Sequence, residues 1–422
     1  MAVLESIVIN KNVLKTTLGN GIRIVTERMP FVRSVSIGAW ITVGSGNEIP
    51  ENNGISHFLE HMLFKGTKNR TAKQIAQSLE SLGGGINAST GKELSLYTAH
   101  VLDENIDIAV DVLTDILQNS NLEKHDIELE KHVILAEINH AREDPEELLL
   151  DYFYKNLFYN HPLGFFIYGT PENVTKFNRT DLKNYLDSEY SPNRMVFAAA
   201  GNINHERFVE LVIKAYDQNN NNHKIIPIST TVSPQKIDKT TFELDSIYQG
   251  HICMGVRTFG YNDQRKYALI LLDVLLGGGM SSRLFQNIRE KYGFAYHIYS
   301  FIDIMTHTGA FGIYMACAND KVEKSIELIT NELNKLKTEP IKNEELELIR
   351  SQVKGNIILG LESSARRMRK IGEKEIYNGH HYTVDEIIEK INKIEPVQLT
   401  ELANELFQES KFCTTILTPR KK

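Results

Sequence analysis

The spacing of hydrophobic residues changes several times along the chain, between the alternation typical of strands and the three-to-four-residue period of helices. Residues 13–27 alternate on both sides of a glycine-rich turn at 18–21, which predicts a β-hairpin. A second β-rich run covers 33–43, and helical spacing follows over 54–64 and 71–82. The pattern predicts further elements in this half: a hairpin over 86–101, helices over 105–119, 123–143, 146–158 and 179–190, a buried strand over 194–201 and a helix over 204–216.

Residues 217–240 interrupt this regular pattern. They begin with a polar, asparagine-rich run at 217–223, continue with Pro227 and Pro234, and show little periodicity. Such composition predicts a linker between two domains.

The second half repeats the order of elements predicted for the first. The pattern predicts a strand over 248–257, helices over 263–276 and 281–291, strands over 295–304 and 309–317, helices over 320–337, 342–358, 363–378 and in pieces over 383–408, and a last strand over 411–417. We therefore predict an α+β fold of two related domains, over 1–216 and 241–422, each a mostly antiparallel sheet flanked by helices.

Composition agrees with two globular domains and narrows the classes of partner. The chain has 422 residues, 41% hydrophobic and 24% charged, which is ordinary for soluble domains. A net charge of -7 argues against a nucleic-acid partner and mildly favours basic peptides. There is no membrane-length apolar run and no signal or transit pattern at the first residues, so we expect a cytoplasmic protein without a membrane partner.

The cysteines support the same expectation. Cys253, Cys317 and Cys413 are odd in number, far apart, and form no CxxC pair. We expect buried free thiols in a reducing compartment rather than disulfides or a thiolate metal site.

The helix over 54–64 contains the motif with the clearest chemistry, His-Phe-Leu-Glu-His at 57–61. On a helix His57, Glu60 and His61 share one face, so two imidazoles can bind one Zn²⁺ while the carboxylate reaches a water beside it. This is the inverted form of the HExxH motif. The alternative is a solvated His/Glu cluster on a surface helix, but the apolar residues all around the motif favour a buried helix, in which these polar groups need partners.

A catalytic zinc site requires a third protein ligand. The helix over 123–143 offers several acids, among them Glu130 and Glu137, which are seven residues apart and lie on the same side. Helix geometry alone does not choose between them.

Several stretches resemble one known family. They are GSGNE at 44–48, GISHFLEHMLFKGT at 54–67, NASTGKELSLYTA at 87–99, ELEKHVILAEI at 128–138 and GGGMSSRLFQNIREKYGFAY at 277–296. Together they resemble the pitrilysin-type family of inverted zincins, most closely its short members: the mitochondrial processing peptidase subunits and their single-chain bacterial relatives. The resemblance covers essentially the whole chain and implies a zinc metalloendopeptidase whose two domains form half of a clamshell.

The resemblance implies a role for each residue of the motif. Glu137 would be the third zinc ligand, Glu130 would support the site without binding the metal, and Glu60 would be the general base. For Glu130 a solvated helix face remains the alternative. The zinc-binding catalytic domain would then be 1–216, and the domain over 241–422 would lack the motif.

Substrate contacts are also implied only by the resemblance. Asn87 and Ala88 would lie on a sheet edge where a peptide substrate adds as a strand, although by themselves they indicate an ordinary hairpin arm. Arg289 and Tyr296 match a family pair that contacts substrate and the developing oxyanion; without the resemblance Arg289 would be a solvated helix residue and Tyr296 a core residue.

The short family members work as pairs of chains, so the resemblance implies a homodimer with composite active sites. The loop at 277–279 lacks the GK[ST] ending of a phosphate-binding loop and resembles a shortened form of the glycine-rich loop of the noncatalytic processing-peptidase subunit. Two rival hypotheses remain: a peptide-binding pseudo-peptidase, and a catalytic subunit that needs a different partner. The intact motif favours the enzyme.

Overall fold

The computed structural model describes residues 3–216 and 239–420, so most of the predicted linker, 217–238, lies outside the described residues. The strands are β1 (Val3–Asn10), β2 (Val13–Leu18), β3 (Arg23–Arg28), β4 (Ser34–Ile41), β5 (Gly85–Thr90), β6 (Ser95–Leu102), β7 (Met195–Gly201), β8 (Lys239–Leu244), β9 (Gln249–Phe259), β10 (Ala295–Ile304), β11 (Thr308–Ala318) and β12 (Cys413–Pro419).

The helices lie between these strands, mostly in runs. They are α1 (Ile55–Leu63), α2 (Ala72–Glu80), α3 (Ile106–Asn119), α4 (Lys124–Glu143), α5 (Pro145–Leu157), α6 (Pro171–Lys176), α7 (Arg179–Glu189), α8 (His205–Tyr216), α9 (Lys266–Gly277), α10 (Val322–Thr338), α11 (Asn343–Gly360), α12 (Ser364–Tyr377), α13 (Val384–Asn392) and α14 (Pro396–Leu406). The helix predicted over 281–291 has π geometry at Phe285–Glu290.

The strands form two sheets with matching topology. The first has the order β1-β2-β3-β7-β4-β6-β5 and the second β10-β11-β9-β12-β8. Within the described residues each sheet has a single parallel pair, β3 with β7 and β8 with β12. Read from that pair outward, β3-β7-β4-β6-β5 corresponds strand for strand to β8-β12-β9-β11-β10 in chain order and in direction. The predicted α+β fold of two related, mostly antiparallel sheets is confirmed.

The chain divides into two compact units that do not follow chain order. Among the described residues, the first unit contains 3–138, 165–216 and 360–381, and the second contains 139–164, 239–359 and 382–420. The predicted domains were continuous ranges, whereas α5 belongs to the second sheet's unit and α12 to the first sheet's unit. The physical reason is packing: an amphipathic pattern shows that a helix must cover an apolar surface but not which sheet supplies it.

Each exchanged helix covers one face of a sheet. In the first unit, Met368 and Ile371 of α12 pack against Trp40 of β4. Gly372 lets the helix approach closely, since a Cβ there would lie 2.4 Å from the Trp40 ring. In the second unit, Leu149 and Phe153 of α5 belong to the cluster that covers the corresponding face of the second sheet.

The opposite face of the first sheet packs against the main core of that unit. Phe58, Leu59 and Met62 of α1 are fully buried there, together with residues of α3 and of the sheet. Burial of these side chains fixes the rotation of α1 about its own axis. The polar face of α1, which carries the histidine motif, is therefore held in one direction.

Candidate active site

The start of α1 is held by a buried carboxylate. Glu48 is 1% exposed; its Oε1 accepts a hydrogen bond from the Ser56 backbone N–H at 2.9 Å, and its Oε2 accepts from Gly54 N–H at 2.8 Å and from Asn53 Nδ2 at 2.9 Å. These bonds satisfy N–H groups that a helix start leaves open, where negative charge is favourable. Burial raises the pKa of Glu48 although the hydrogen bonds oppose that rise.

The structure brings together the predicted ligands of the motif and of α4. His57 Nε2 lies 3.7 Å and His61 Nε2 3.5 Å from the same oxygen of Glu137, Oε2. One ligand atom from each of the three residues lies within 4.8 Å of the others. Ligands around a tetrahedral Zn²⁺ at bond lengths of about 2.0–2.2 Å stand about 3.4 Å apart, so this spacing fits one zinc ion.

The electrostatic state of His57 suits metal binding. Burial, and then the positive charge of His61, lower the pKa of His57 to about 4, so the imidazole is neutral at neutral pH. A neutral imidazole has the lone pair that a metal ligand requires. His57 Nδ1 is buried and has no hydrogen-bond partner in the described part of the chain.

His61 is oriented by Glu130. The Nδ1 atom of His61 lies 2.8 Å from Glu130 Oε1, which directs the other nitrogen, Nε2, toward Glu137. Burial lowers the pKa of His61, but the hydrogen bond to Glu130 and the neighbouring carboxylates raise it on balance. The arrangement is the carboxylate–histidine pairing that fixes the tautomer of a metal ligand.

Glu130 is itself held by Lys65 as well as by His61. It is 3% exposed, and Lys65 Nζ lies 2.6 Å from its Oε2. Burial opposes ionisation of Glu130, yet the hydrogen bonds from His61 and Lys65 lower its pKa on balance. The solvated-face alternative for Glu130 is therefore wrong, because the side chain is buried between a histidine and a lysine. Lys65 was not predicted as part of the site, since only the fold brings it to Glu130.

Glu60 receives a hydrogen bond from the Thr90 hydroxyl at the end of β5. Burial raises the pKa of Glu60, while the Thr90 hydrogen bond and the charge of His61 act in the opposite direction. A carboxylate with a raised pKa is suited to accept and return a proton near neutral pH. Thr90 lies inside the stretch that carried the family resemblance, but its contact with Glu60 is visible only in three dimensions.

The strand that carries Asn87 and Ala88 is the edge of the first sheet. Within the described ranges β5 pairs only with β6. Ala88 is half-buried and packs against the core that contains α1, and Asn87 on the opposite face is exposed. The residues therefore lie in a hairpin arm, as the residue pattern indicated, and that arm is also a free sheet edge beside Glu60.

Arg289 and Tyr296 both lie in the second compact unit. The Arg289 guanidinium carbon is 4.5 Å from the centre of the Phe285 ring, within the π-helical turn. Tyr296 on β10 is 76% exposed, so the alternative of a core tyrosine is wrong. The pairing of β10 with β11 is irregular between Ala295 and His297 and skips Tyr296, which leaves its side chain outside.

Comparison with known proteins places the chain in a family. The model for insulinase, peptidase family M16, matches residues 23–171, and the model for the peptidase M16 inactive domain matches residues 176–353. The chain belongs to the M16, or pitrilysin-type, metallopeptidase family, which confirms the predicted resemblance.

Individual relatives agree with this assignment. An uncharacterized zinc protease of Mycobacterium leprae is 38% identical over 414 residues, covering 96% of this chain and 92% of the relative. The uncharacterized zinc protease YmxG of Bacillus subtilis is 38% identical over 403 residues, covering 96% and 97%. A protease from Helicobacter pylori has the same fold, with a TM-score of 0.91 at 24% identity over 96% of this chain and 99% of that chain.

Among the described residues, every helix is too short or too polar to cross a bilayer. The three cysteines are buried and form no disulfide within the described residues, as expected.

Proposed function

We propose that this chain is a zinc-dependent endopeptidase that hydrolyses peptides or unfolded polypeptide segments. The observation that supports this most directly is the approach of His57 and His61 to one oxygen of Glu137, beside a carboxylate with a raised pKa. The relatives named as zinc proteases favour the same activity.

In this proposal His57, His61 and Glu137 hold the metal and Glu130 orients His61. Bound Zn²⁺ would supply activation of a water molecule and polarisation of the scissile carbonyl. Two imidazole nitrogens and one carboxylate oxygen leave the fourth position of a tetrahedral metal open for that chemistry. The low pKa of His57 keeps its lone pair available over the whole neutral range.

Glu60 takes a proton from the attacking water and returns it to the leaving amine. Burial raises the pKa of Glu60. This pKa is therefore closer to neutral pH than that of an exposed carboxylate, which suits a group that takes up and releases a proton. The Thr90 hydroxyl holds one oxygen of the carboxylate, which leaves the other to face the water.

The substrate adds to the free edge of β5 at Asn87 and Ala88. Backbone pairing of this kind gives affinity without strict side-chain selection. The free edge of β5 and its position beside Glu60 support this mode of binding.

We further propose that the protein acts in the cytoplasm as a homodimer with composite active sites. Arg289 and Tyr296 of one protomer would then contact the substrate bound to the other. The exposure of Tyr296 leaves its phenol free for such a contact.

A hydrolysis assay with a quenched fluorescent peptide tests the activity. The purified chain should cleave the peptide, lose activity with a chelator and regain it with added zinc. Glu60→Gln should keep its zinc and lose turnover by about 10²–10⁴-fold, whereas His57→Ala and Glu137→Ala should lose zinc as well. Zinc-loaded wild-type protein, shown to be dimeric by light scattering, that leaves a diverse peptide library intact would contradict the proposal and favour a peptide-binding role.

A further inference from the structure

A pocket of about 570 Å³ lies beside β5 on the face of the first sheet opposite α1. Ile86 and Ala88 pack against the core that contains α1. Asn87 lies on the opposite face of the strand and lines the pocket, which Ile86 also borders. Thr98 and His100 of β6 line it as well, on the face that Leu96 shares with α12. The pocket therefore adjoins the same free edge at which a substrate strand would add, but on the outer face.

The charge of this outer pocket is positive. Arg366 and Arg369 of α12, three residues apart and thus on one side of the helix, line it together with His100. Both arginines are exposed, and among the described residues no carboxylate lines the pocket. Glu373 interacts electrostatically with Arg369 but lies outside the lining of the pocket.

Arg366 and Arg369 lie on a helix whose first turn is fixed to the sheet. Ser36 Oγ of β4 lies 2.8 Å from His100 Nδ1 and 2.9 Å from Ser364 Oγ, at the first residue of α12. Met368, between the two arginines, is 2% exposed and packs against the sheet. The helix start is therefore tied to β4 directly and to β6 through Ser36, which fixes the backbone that carries both arginines beside the pocket.

We propose that the outer pocket selects substrates that carry an acidic side chain on the outer face of the bound strand. The inference rests on the proposed peptidase function, in which the substrate pairs with β5. Side chains of a strand alternate between the two faces of a sheet, so every second substrate residue would lie on the outer face, and the one beside the pocket would meet Arg366 and Arg369. Guanidinium groups bind carboxylates with strong, directional hydrogen bonds, so aspartate or glutamate at such a position is favoured.

Matched quenched peptides test this selection. Each peptide set is identical except for Glu, Gln or Lys at one position, and the position is scanned along the peptide. With wild-type enzyme, kcat/KM should be about tenfold higher for Glu than for Gln at one or more alternate positions, mainly through KM, because the contact is remote from the reacting bond. The double variant Arg366→Glu, Arg369→Glu should prefer Lys at the same positions.

A control variant has the same change in net charge away from the pocket. Lys124→Glu with Lys176→Glu replaces two exposed lysines of the first unit and should keep the wild-type preference for Glu. A second measurement uses the Glu60→Gln protein and fluorescence anisotropy, in which the Kd values for Glu and Lys peptides should differ in the same direction without any turnover.

The two hypotheses fail in different ways. If the wild type cleaves peptides but the arginine variants keep the same Glu-to-Lys ratio, the selection is refuted and the peptidase stands. If no peptide is cleaved, the peptidase proposal fails, and equal Kd values for Glu and Lys peptides would refute the pocket's role independently.

Discussion

At the scale of single residues, the site consists of groups whose neighbours set their chemistry. His57 and His61 have the same side chain four residues apart, yet their pKa values move in opposite directions. Burial lowers the pKa of both histidines, but for His61 the hydrogen bond to Glu130 and the charges of Glu137, Glu130 and Glu60 outweigh it. The roles of individual residues therefore depend on contacts with side chains distant in sequence.

Glu130 is expected to raise zinc affinity through His61. Glu130→Gln removes the charge that stabilises the orientation and basicity of the imidazole, so zinc affinity should fall about 10–100-fold. Competition with a fluorescent zinc chelator measures the zinc affinity of each variant. The control is Glu128→Gln on the same helix, whose carboxylate is exposed and bonds only to Lys131 in the described structure; equal affinities of the two variants would refute this role.

Thr90 is expected to tune the general base. Its hydrogen bond to Glu60 favours the ionised carboxylate and so lowers the pKa of Glu60. Thr90→Val removes the bond with little change in shape, so the pKa rises and the acidic limb of the kcat/KM profile should move to higher pH. Thr90→Ser keeps the hydroxyl and should leave the limb in place, whereas an unshifted profile in Thr90→Val would show that the bond has no such effect.

At the scale of elements, close approach of α12 to the first sheet depends on the missing Cβ atoms of Gly38 and Gly372. Gly372→Ala would bring a methyl group to 2.4 Å from the Trp40 ring, which should destabilise the protein by about 1–3 kcal/mol through overpacking. Denaturant unfolding measures the change.

The matched control for this substitution is Gly355→Ala in α11. A Cβ at Gly355 meets no atom within 4 Å, and alanine is the better helix former, so this variant should be neutral or stabilised by up to about 1 kcal/mol. If both variants had the same unfolding midpoint, contact with Trp40 would not limit the position of α12.

The two halves also differ in the helix that follows the corresponding strand of each sheet. In the matching order of strands, α1 follows β4 and α9 follows β9. The α1 sequence presents two histidines and a glutamate on one face, whereas α9 reads KYALILLDVLLG and is buried along most of its length. The two copies therefore share a framework, and within the described residues the cluster of side chains that could hold a metal lies in the first copy.

At the scale of the whole molecule, the proposed composite site predicts complementation between inactive protomers. Glu60→Gln lacks the base, and Arg289→Ala lacks the contact offered to the other chain. Mixed after dissociation and reassociation, they should recover up to about a quarter of wild-type activity, because random pairing makes half of the dimers mixed and one of their two sites is intact. Each variant alone should stay nearly inactive, and a mixture no more active than its parts would contradict composite sites.

Most elements of the fold could be predicted from the sequence, but some strands and the partners of two helices could not. The hairpin over 13–27, the long helix over 123–143 and the repeated order of elements were visible because hydrophobic period reports which face of an element is buried. The strands β1 and β8 were missed; β1 is mostly exposed on both faces and so lacks the alternation that marks a half-buried strand. The exchange of α5 and α12 between the units was missed because the sequence of an amphipathic helix shows which of its faces is buried, but not which sheet that face packs against.

The sequence by itself determined the spacing of His57, Glu60 and His61, since a helix places those positions on one face whatever surrounds it. Only the tertiary structure brings Glu137 to the two imidazoles, turns Glu130 toward His61 and places Thr90 against Glu60. The physical reason is that local geometry follows from the period of one element, whereas contacts between elements follow from how their apolar faces pack.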